Sequence, residues 1–213
     1  MTGVGGGGVL WRTRRGGVVE VVLVHHRVTG RWELAKGKAE PGEVPSDTAR
    51  REVVEEAGLD CRLAELLGDV HVRHGDTWRA IRYWLMEPVD PGAEPCPRAG
   101  TEIAEARWCL PGDPGSPLCQ PYDALVLARA AEVLGNRGIV LPGPPVRAGR
   151  GWRLVRGAGC GGRWAVEREA GTVVARLQVA ETAPSQPRGS LVAGAGGPAA
   201  GANAGEVTVW KRQ

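Results

Sequence analysis

The chain has 213 residues with 33 glycines, 16 prolines, no phenylalanine and a formal net charge of +3. This length allows one domain with a substantial core, or one ordinary domain plus a small appendage, and its acidic and basic residues interleave, so neither a polybasic tail nor arginine abundance points to nucleic acid. No run of about 18 apolar residues occurs, the sequence opens with no basic n-region or apolar h-region, and five scattered cysteines form no C-x2-C pair, so a soluble, cytoplasmic protein without a disulfide framework or membrane partner is expected.

In chain order, Gly8 to Trp11 and Val18 to Val24 read as strands, the second nearly all Val and Leu and therefore buried on both faces. Trp32 to Leu34 is a short third strand running into Gly37. Pro45-Ser46-Asp47 offers a helix start with Ser46 or Asp47 as N-cap, helical character lasts to Ala57, and Gly58 supplies the stop. Arg62 to Val70, Trp78 to Pro88 and Ala104 to Leu110 read as further strands, and Tyr122 to Leu134 as an amphipathic helix ending before Gly135. This order predicts an α/β fold, a mixed sheet covered by helices on both sides, over residues 1–135.

Composition then shifts. Residues 136–150 read as a linker, with the run Leu141-Pro142-Gly143-Pro144-Pro145 at their centre. Residues 151–213 form a small β-rich extension, with alternating segments at Trp152 to Arg156, Arg163 to Glu169, Thr172 to Glu181 and Glu206 to Arg212. Within it, 182–205 is a low-complexity loop of Ala, Gly, Pro and Ser.

The pattern that carries chemistry is Gly37, five residues, Glu43, seven residues, then Arg51-Glu52-Val53-Val54-Glu55-Glu56-Ala57-Gly58-Leu59. On a helix, Glu52, Glu55 and Glu56 lie three and four apart and gather toward one side. Like charges so placed repel, and a divalent cation turns that repulsion into a site. Carboxylate oxygens without a nearby His or Cys in the sequence favour a hard ion, Mg²⁺ or Mn²⁺. Arg51 is spaced to pair with Glu55 one turn on. Gly37 and Gly42 let the preceding loop bend until its backbone groups face the metal and phosphates. Lys36, Lys38 and Lys211 are the only lysines in a chain that otherwise uses arginine, and a compact ammonium at 36 or 38 suits a phosphate.

Every fixed position of this pattern resembles the Nudix box, and Trp32-Glu33-Leu34-Ala35-Lys36-Gly37-Lys38-Ala39-Glu40-Pro41-Gly42-Glu43 is similar to the flank found in diadenosine polyphosphate hydrolases and MutT-like nucleotide hydrolases. Ala35 stands where that subgroup has proline. The resemblance implies the Nudix α/β/α sandwich and hydrolysis of a phosphoanhydride in a dinucleoside polyphosphate or nucleoside triphosphate. It implies Glu52, Glu55 and Glu56 as metal ligands together with Gly37, Glu52 also as a candidate base, and Glu43 as the residue that orients the loop or helps hold the metal indirectly. It also points to a further catalytic glutamate ahead of Arg107-Trp108, Glu102 before Glu105. Arg27 and Arg82 are candidate phosphate clamps, and Tyr83, Trp84 or Trp78 candidates for base stacking.

Other readings divide on stated features. Removal of pyrophosphate from an RNA 5′ end would use the basic C-terminal strands to grip the RNA. A nucleotide sensor without turnover would carry a damaged box, and this one is whole. His71-x2-His74 lacks the second close pair of a zinc site, and Arg73-His74-Gly75 matches only the three-residue R-H-G of histidine phosphatases. Oligomeric state is not readable from the sequence.

Overall fold

The structure, a computed structural model, describes residues 4–74, 77–111, 121–141, 152–156, 164–168 and 173–179. Its elements are β1 (Gly5–Thr13), β2 (Val19–His26), β3 (Trp32–Glu33), β4 (Lys36–Gly37), α1 (Pro45–Ala57), β5 (Cys61–His74), β6 (Thr77–Pro88), β7 (Ile103–Cys109), α2 (Pro121–Gly135), β8 (Trp152–Arg156), β9 (Trp164–Arg168) and β10 (Val173–Gln178). The strands form one sheet in the order β3-β2-β1-β6-β5-β10-β9-β8, with β4 against β1 and β7 against β2. β1 and β6 are parallel and the other pairs antiparallel, so the sheet is mixed.

Alternation along β1 and β2 explains the two helical layers. Val9, Val21 and Leu23 pack on one face with Leu125, Leu127 and Leu134 of α2. Leu10, Val22 and Val24 pack on the other with Ala49, Val53 and Ala57 of α1. A strand apolar at successive positions feeds both cores at once, and the result is the expected α/β sandwich. Among the described residues no helix is long and apolar enough to cross a membrane.

The start of α1 differs from expectation. Val44 is the N-cap, with no side-chain cap, and Pro45 opens the helix. Proline has its φ already set and no N–H to leave unsatisfied, so it suits the first helical position and moves the boundary ahead of Ser46. Asp47 lies in the first turn instead, where its charge complements the helix dipole. The other end is as read: Gly58 adopts φ 69° and donates its N–H to Val54 O, a left-handed cap that glycine takes without strain.

The C-terminal strands do not stand apart from the main sheet. β10 pairs with β5 through Ala175↔Val72 and Leu177↔Val70, and Ala175 and Leu177 are buried in the α2-side core. The expected strand Glu206 to Arg212 and the loop 182–205 lie outside the described residues, as do residues 142–150 of the linker.

Candidate active site

The site is built where β1, β4 and α1 meet. Gly6 faces α1 so closely that a Cβ there would overlap Pro45 O and Ala49 N. Gly6 also pairs with Gly37, and a Cβ on Gly37 would overlap the Glu52 carboxylate. Two missing side chains therefore seat the helix on the sheet and bring its first catalytic candidate against the loop.

Arg51 organises the carboxylates. Its Nε and Nη2 donate to the two oxygens of Glu43 at 2.9 and 3.0 Å, Nη2 donates to Lys38 O at 3.0 Å, and Nη1 donates to Glu52 at 3.0 Å and Glu55 at 3.1 Å. The bidentate pair is the strong geometry for a guanidinium and a carboxylate. Glu43 also accepts from Glu40 N at 2.9 Å and Thr48 Oγ1 at 2.9 Å, so it closes the loop onto the helix. Arg51 and these donors hold the Glu43 carboxyl down at about 2, and Glu43 in turn raises Arg51.

Glu56 faces the other way. Its Oε2 accepts the Lys36 N–H at 3.0 Å, and its Oε1 lies 4.0 Å from His26 Nε2. Burial pushes Glu56 up to about 8, against the opposing charge and N–H of Lys36. Burial also raises Glu52, with the charge and hydrogen bond of Arg51 pulling the other way. Behind Glu56, Glu33 accepts from His26 Nε2 at 2.6 Å and Lys36 Nζ at 2.5 Å, and from the Tyr122 hydroxyl at 3.3 Å.

The structure thus gathers Glu43, Glu52 and Glu55 around Arg51 beside Gly37, with Glu56 turned from that group toward Lys36 N and His26. It distributes the remaining candidates differently. Lys36 carries its ammonium inward to Glu33, whereas Lys38 is exposed. Arg82 is held by Asp69 at 2.6 and 2.9 Å, and Arg27 donates to Ile103 O at 2.9 Å. Tyr83 is fully buried, its ring against Gly7, so it presents no free face for a base; Trp78 is exposed and Trp84 half-buried. Glu102 is exposed, with its backbone oxygen accepting from Arg27 N at 2.8 Å.

Sequence reading missed His26, Glu33 and Asp123. Asp123 is fully buried at the start of α2 and accepts the Leu34 N–H at 3.2 Å. The only local signal was that Glu33 lies beside the box. His26 corrects the expectation that no histidine is near, although its Nε2 is engaged by Glu33.

The donor set fits a hard divalent ion. It is carboxylate oxygen, the missing side chain of Gly37 lets Glu52 close against the loop, and a dication there would favour the charged form of Glu56 that burial disfavours. Among the described residues no three acidic, His or Cys side chains already converge as a cage, because Arg51 holds Glu52 and Glu55 while Lys36 N holds Glu56.

Comparison with known proteins identifies the family and the fold. A family profile described as NUDIX domain matches residues 2–128, more than half of the chain. The 8-oxo-(d)GTP phosphatase of Mycolicibacterium smegmatis is 32% identical over 132 residues, covering 58% of this chain and 39% of that protein. Human 8-oxo-dGDP phosphatase NUDT18 is 36% identical over 93 residues, covering 42% and 28%. The chain therefore spans well under half the length of these relatives. Among solved structures, the Nudix hydrolase RenU of M. smegmatis aligns with a TM-score of 0.52 and 25% identity, covering 62% of this chain and 86% of that one. A C. elegans Ap4A hydrolase aligns with a TM-score of 0.55 at 20% identity, covering 64% and 99%, a likeness of fold.

Proposed function

Because the chain belongs to the Nudix family, we propose that it is a metal-dependent pyrophosphohydrolase that cleaves a phosphoanhydride bond in a nucleoside-diphosphate-linked substrate. The observation that carries this reading is the face of α1 on which Arg51 holds Glu52 and Glu55 beside Gly37, with Glu56 one step behind. Glu52, Glu55 and Glu56 are the residues to hold Mg²⁺ or Mn²⁺, with the loop backbone at Gly37. When bound, such an ion supplies neutralisation of charge on phosphate oxygens and a more acidic attacking water.

The protein's own groups do the rest. Arg51 fixes the directions of two carboxylates, and Glu43, low in pKa, keeps Arg51 in place across the working pH range. Glu52 is the candidate base nearest the ligand set and Glu102 the alternative, each able to take a proton as a carboxylate. Lys38, exposed on the loop, is better placed to meet phosphate than Lys36, whose N–H orients Glu56. Arg27, Arg82 and Tyr83 are engaged elsewhere, so any contact they make with substrate requires release from Ile103 O, from Asp69 or from the core.

For substrate, the curated relatives direct the first trials to 8-oxo-dGTP and 8-oxo-dGDP, and the flank of the box directs them to diadenosine polyphosphates. Each is offered with Mg²⁺ and Mn²⁺, with products identified. The wild-type protein releases pyrophosphate or phosphate from at least one of these, and Glu56→Gln loses about a hundredfold or more in kcat. A Glu56→Gln protein retaining full turnover would remove Glu56 from the metal site and the mechanism with it.

A further inference from the structure

Between β6 and β7 the chain crosses the C-terminal half of α1, and its backbone there is pinned from several directions. Arg12 Nη1 donates to Pro91 O at 3.1 Å and Ala93 O at 3.2 Å, Trp108 Nε1 donates to Ala93 O at 3.1 Å, Cys96 N donates to Ala57 O at 2.8 Å, and Arg98 N donates to Glu55 O at 3.0 Å. The crossing delivers Arg98 to the edge of the carboxylate site on a fixed backbone. Its side chain is held far less: it is 73% exposed, with Nη1 3.6 Å from Glu55 Oε1, too long for a hydrogen bond.

Arg98 lines an open cleft of about 490 Å³ with Arg50, Arg51, Asp47, Val54 and Glu55. Arg51 is fully committed to Glu43, Glu52, Glu55 and Lys38 O. Arg50 is exposed and makes no hydrogen bond or ion pair with the described residues. Arg51 and Glu43, which also borders the cleft, neutralise each other, so the cleft keeps two loosely held guanidiniums against Asp47 alone once Glu55 is drawn to a cation. Of the cations nominated from sequence, Lys36, Arg27 and Arg82 each hold an acceptor already, and Lys38 stands exposed on the loop.

We infer that Arg98, with Arg50 beside it, binds the phosphates of a polyphosphate chain beyond the one that reacts. The inference rests on the proposed hydrolysis for the place of the reacting phosphorus, and it names the neighbouring subsite: the cleft on the Arg98 side of Glu55, taking a linear phosphate chain of three or more groups. A guanidinium on a fixed backbone suits that ligand, because it offers paired donors to phosphate oxygens and little of the chain must be ordered on binding.

The test is calorimetric binding of inorganic tripolyphosphate, a methylene-bridged nucleoside triphosphate and a nucleoside monophosphate, each with Mg²⁺, to wild type, Arg98→Ala, Arg98→Lys and Arg50→Ala. Loss of one charge-assisted contact weakens both triphosphates by about tenfold in Arg98→Ala, less in Arg98→Lys, and leaves the monophosphate unchanged. In steady state the same variant raises KM for a long-chain substrate while kcat holds. Equal tripolyphosphate affinity in wild type and Arg98→Ala, or no tripolyphosphate binding by wild type, overturns the inference. Tripolyphosphate binding that depends on Arg98 in a protein that hydrolyses no nucleotide upholds the subsite and rejects the proposed function, so the two fail separately.

Discussion

Asp123 illustrates how one buried side chain sets the pH response of the fold. It is fully buried, its Oδ1 has no hydrogen-bond partner among the described residues, and burial, opposed by the charge of Lys36, pushes its carboxyl from 3.8 to about 7. Between these values the folded protein keeps a proton that the unfolded chain has released. Stability is therefore highest at the acid end of that window, falls as pH rises through it, and levels off for this group above 7. The difference is worth on the order of 4 kcal/mol at most. Glu56, up to about 8, slopes in the same direction, whereas the low Glu43 loses its contribution only as pH falls toward 2. Urea titrations of metal-free protein from pH 4.5 to 8 should show wild type losing stability and Asp123→Asn following a shallower line, without becoming level. Parallel lines for the two proteins would mean that Asp123 does not titrate in this range.

At the scale of elements, the contact between β1 and α1 is the least forgiving. Adding a methyl at Gly6 puts it into the backbone at Pro45 and Ala49, and backbone cannot rotate away as a side-chain end can. Gly6→Ala should cost about 3 kcal/mol, which for a chain of this size lowers Tm by ~6–12 °C, and should raise the metal concentration needed for half-maximal activity because Glu52 shifts with the helix. A Gly6→Ala protein that melts with wild type would show that helix and strand separate freely. This junction also marks what could be read beforehand. The acidic face of α1, its glycine stop and the Arg51–Glu55 pair depend on spacing within a few residues, so sequence sufficed for them. The helix start was misplaced because Ser46 and Asp47 are good caps in isolation while Pro45 takes the first turn. Asp123 and Arg98 join the site through partners such as Leu34 for Asp123, 89 positions apart, and local spacing holds no record of a partner that distant; His26 reaches Glu33 only through the pairing of β2 with β3. The same limit misled the reading of Tyr83 as a stacking surface, since an aromatic on a strand has the same periodicity in the core as outside it.

For the whole molecule, the consequential feature is that the C-terminal strands extend the central sheet. Read in sequence, residues 136–150 are a linker and 151–213 a small β-rich extension. In the fold, β10 satisfies the β5 edge from Asp69 to Val72 and buries Ala175 and Leu177 against the α2 side of the core. Deleting residues 141–213 should therefore do two kinds of damage. Loss of the Leu177 and Ala175 burial costs about 2–4 kcal/mol, and the uncovered β5 edge, with unpaired N–H and C=O groups, becomes a template for a second chain. The fragment 1–140 should melt well below the full chain and elute as self-associated species, while Leu177→Ala in the full chain should reproduce the loss of stability, about 2–5 kcal/mol, without the association. This contrast separates edge from core: the point variant keeps the strand pairing and loses only packing. A monomeric 1–140 fragment with the Tm and nucleotide hydrolysis of the full chain would instead make residues 141–213 a dispensable addition.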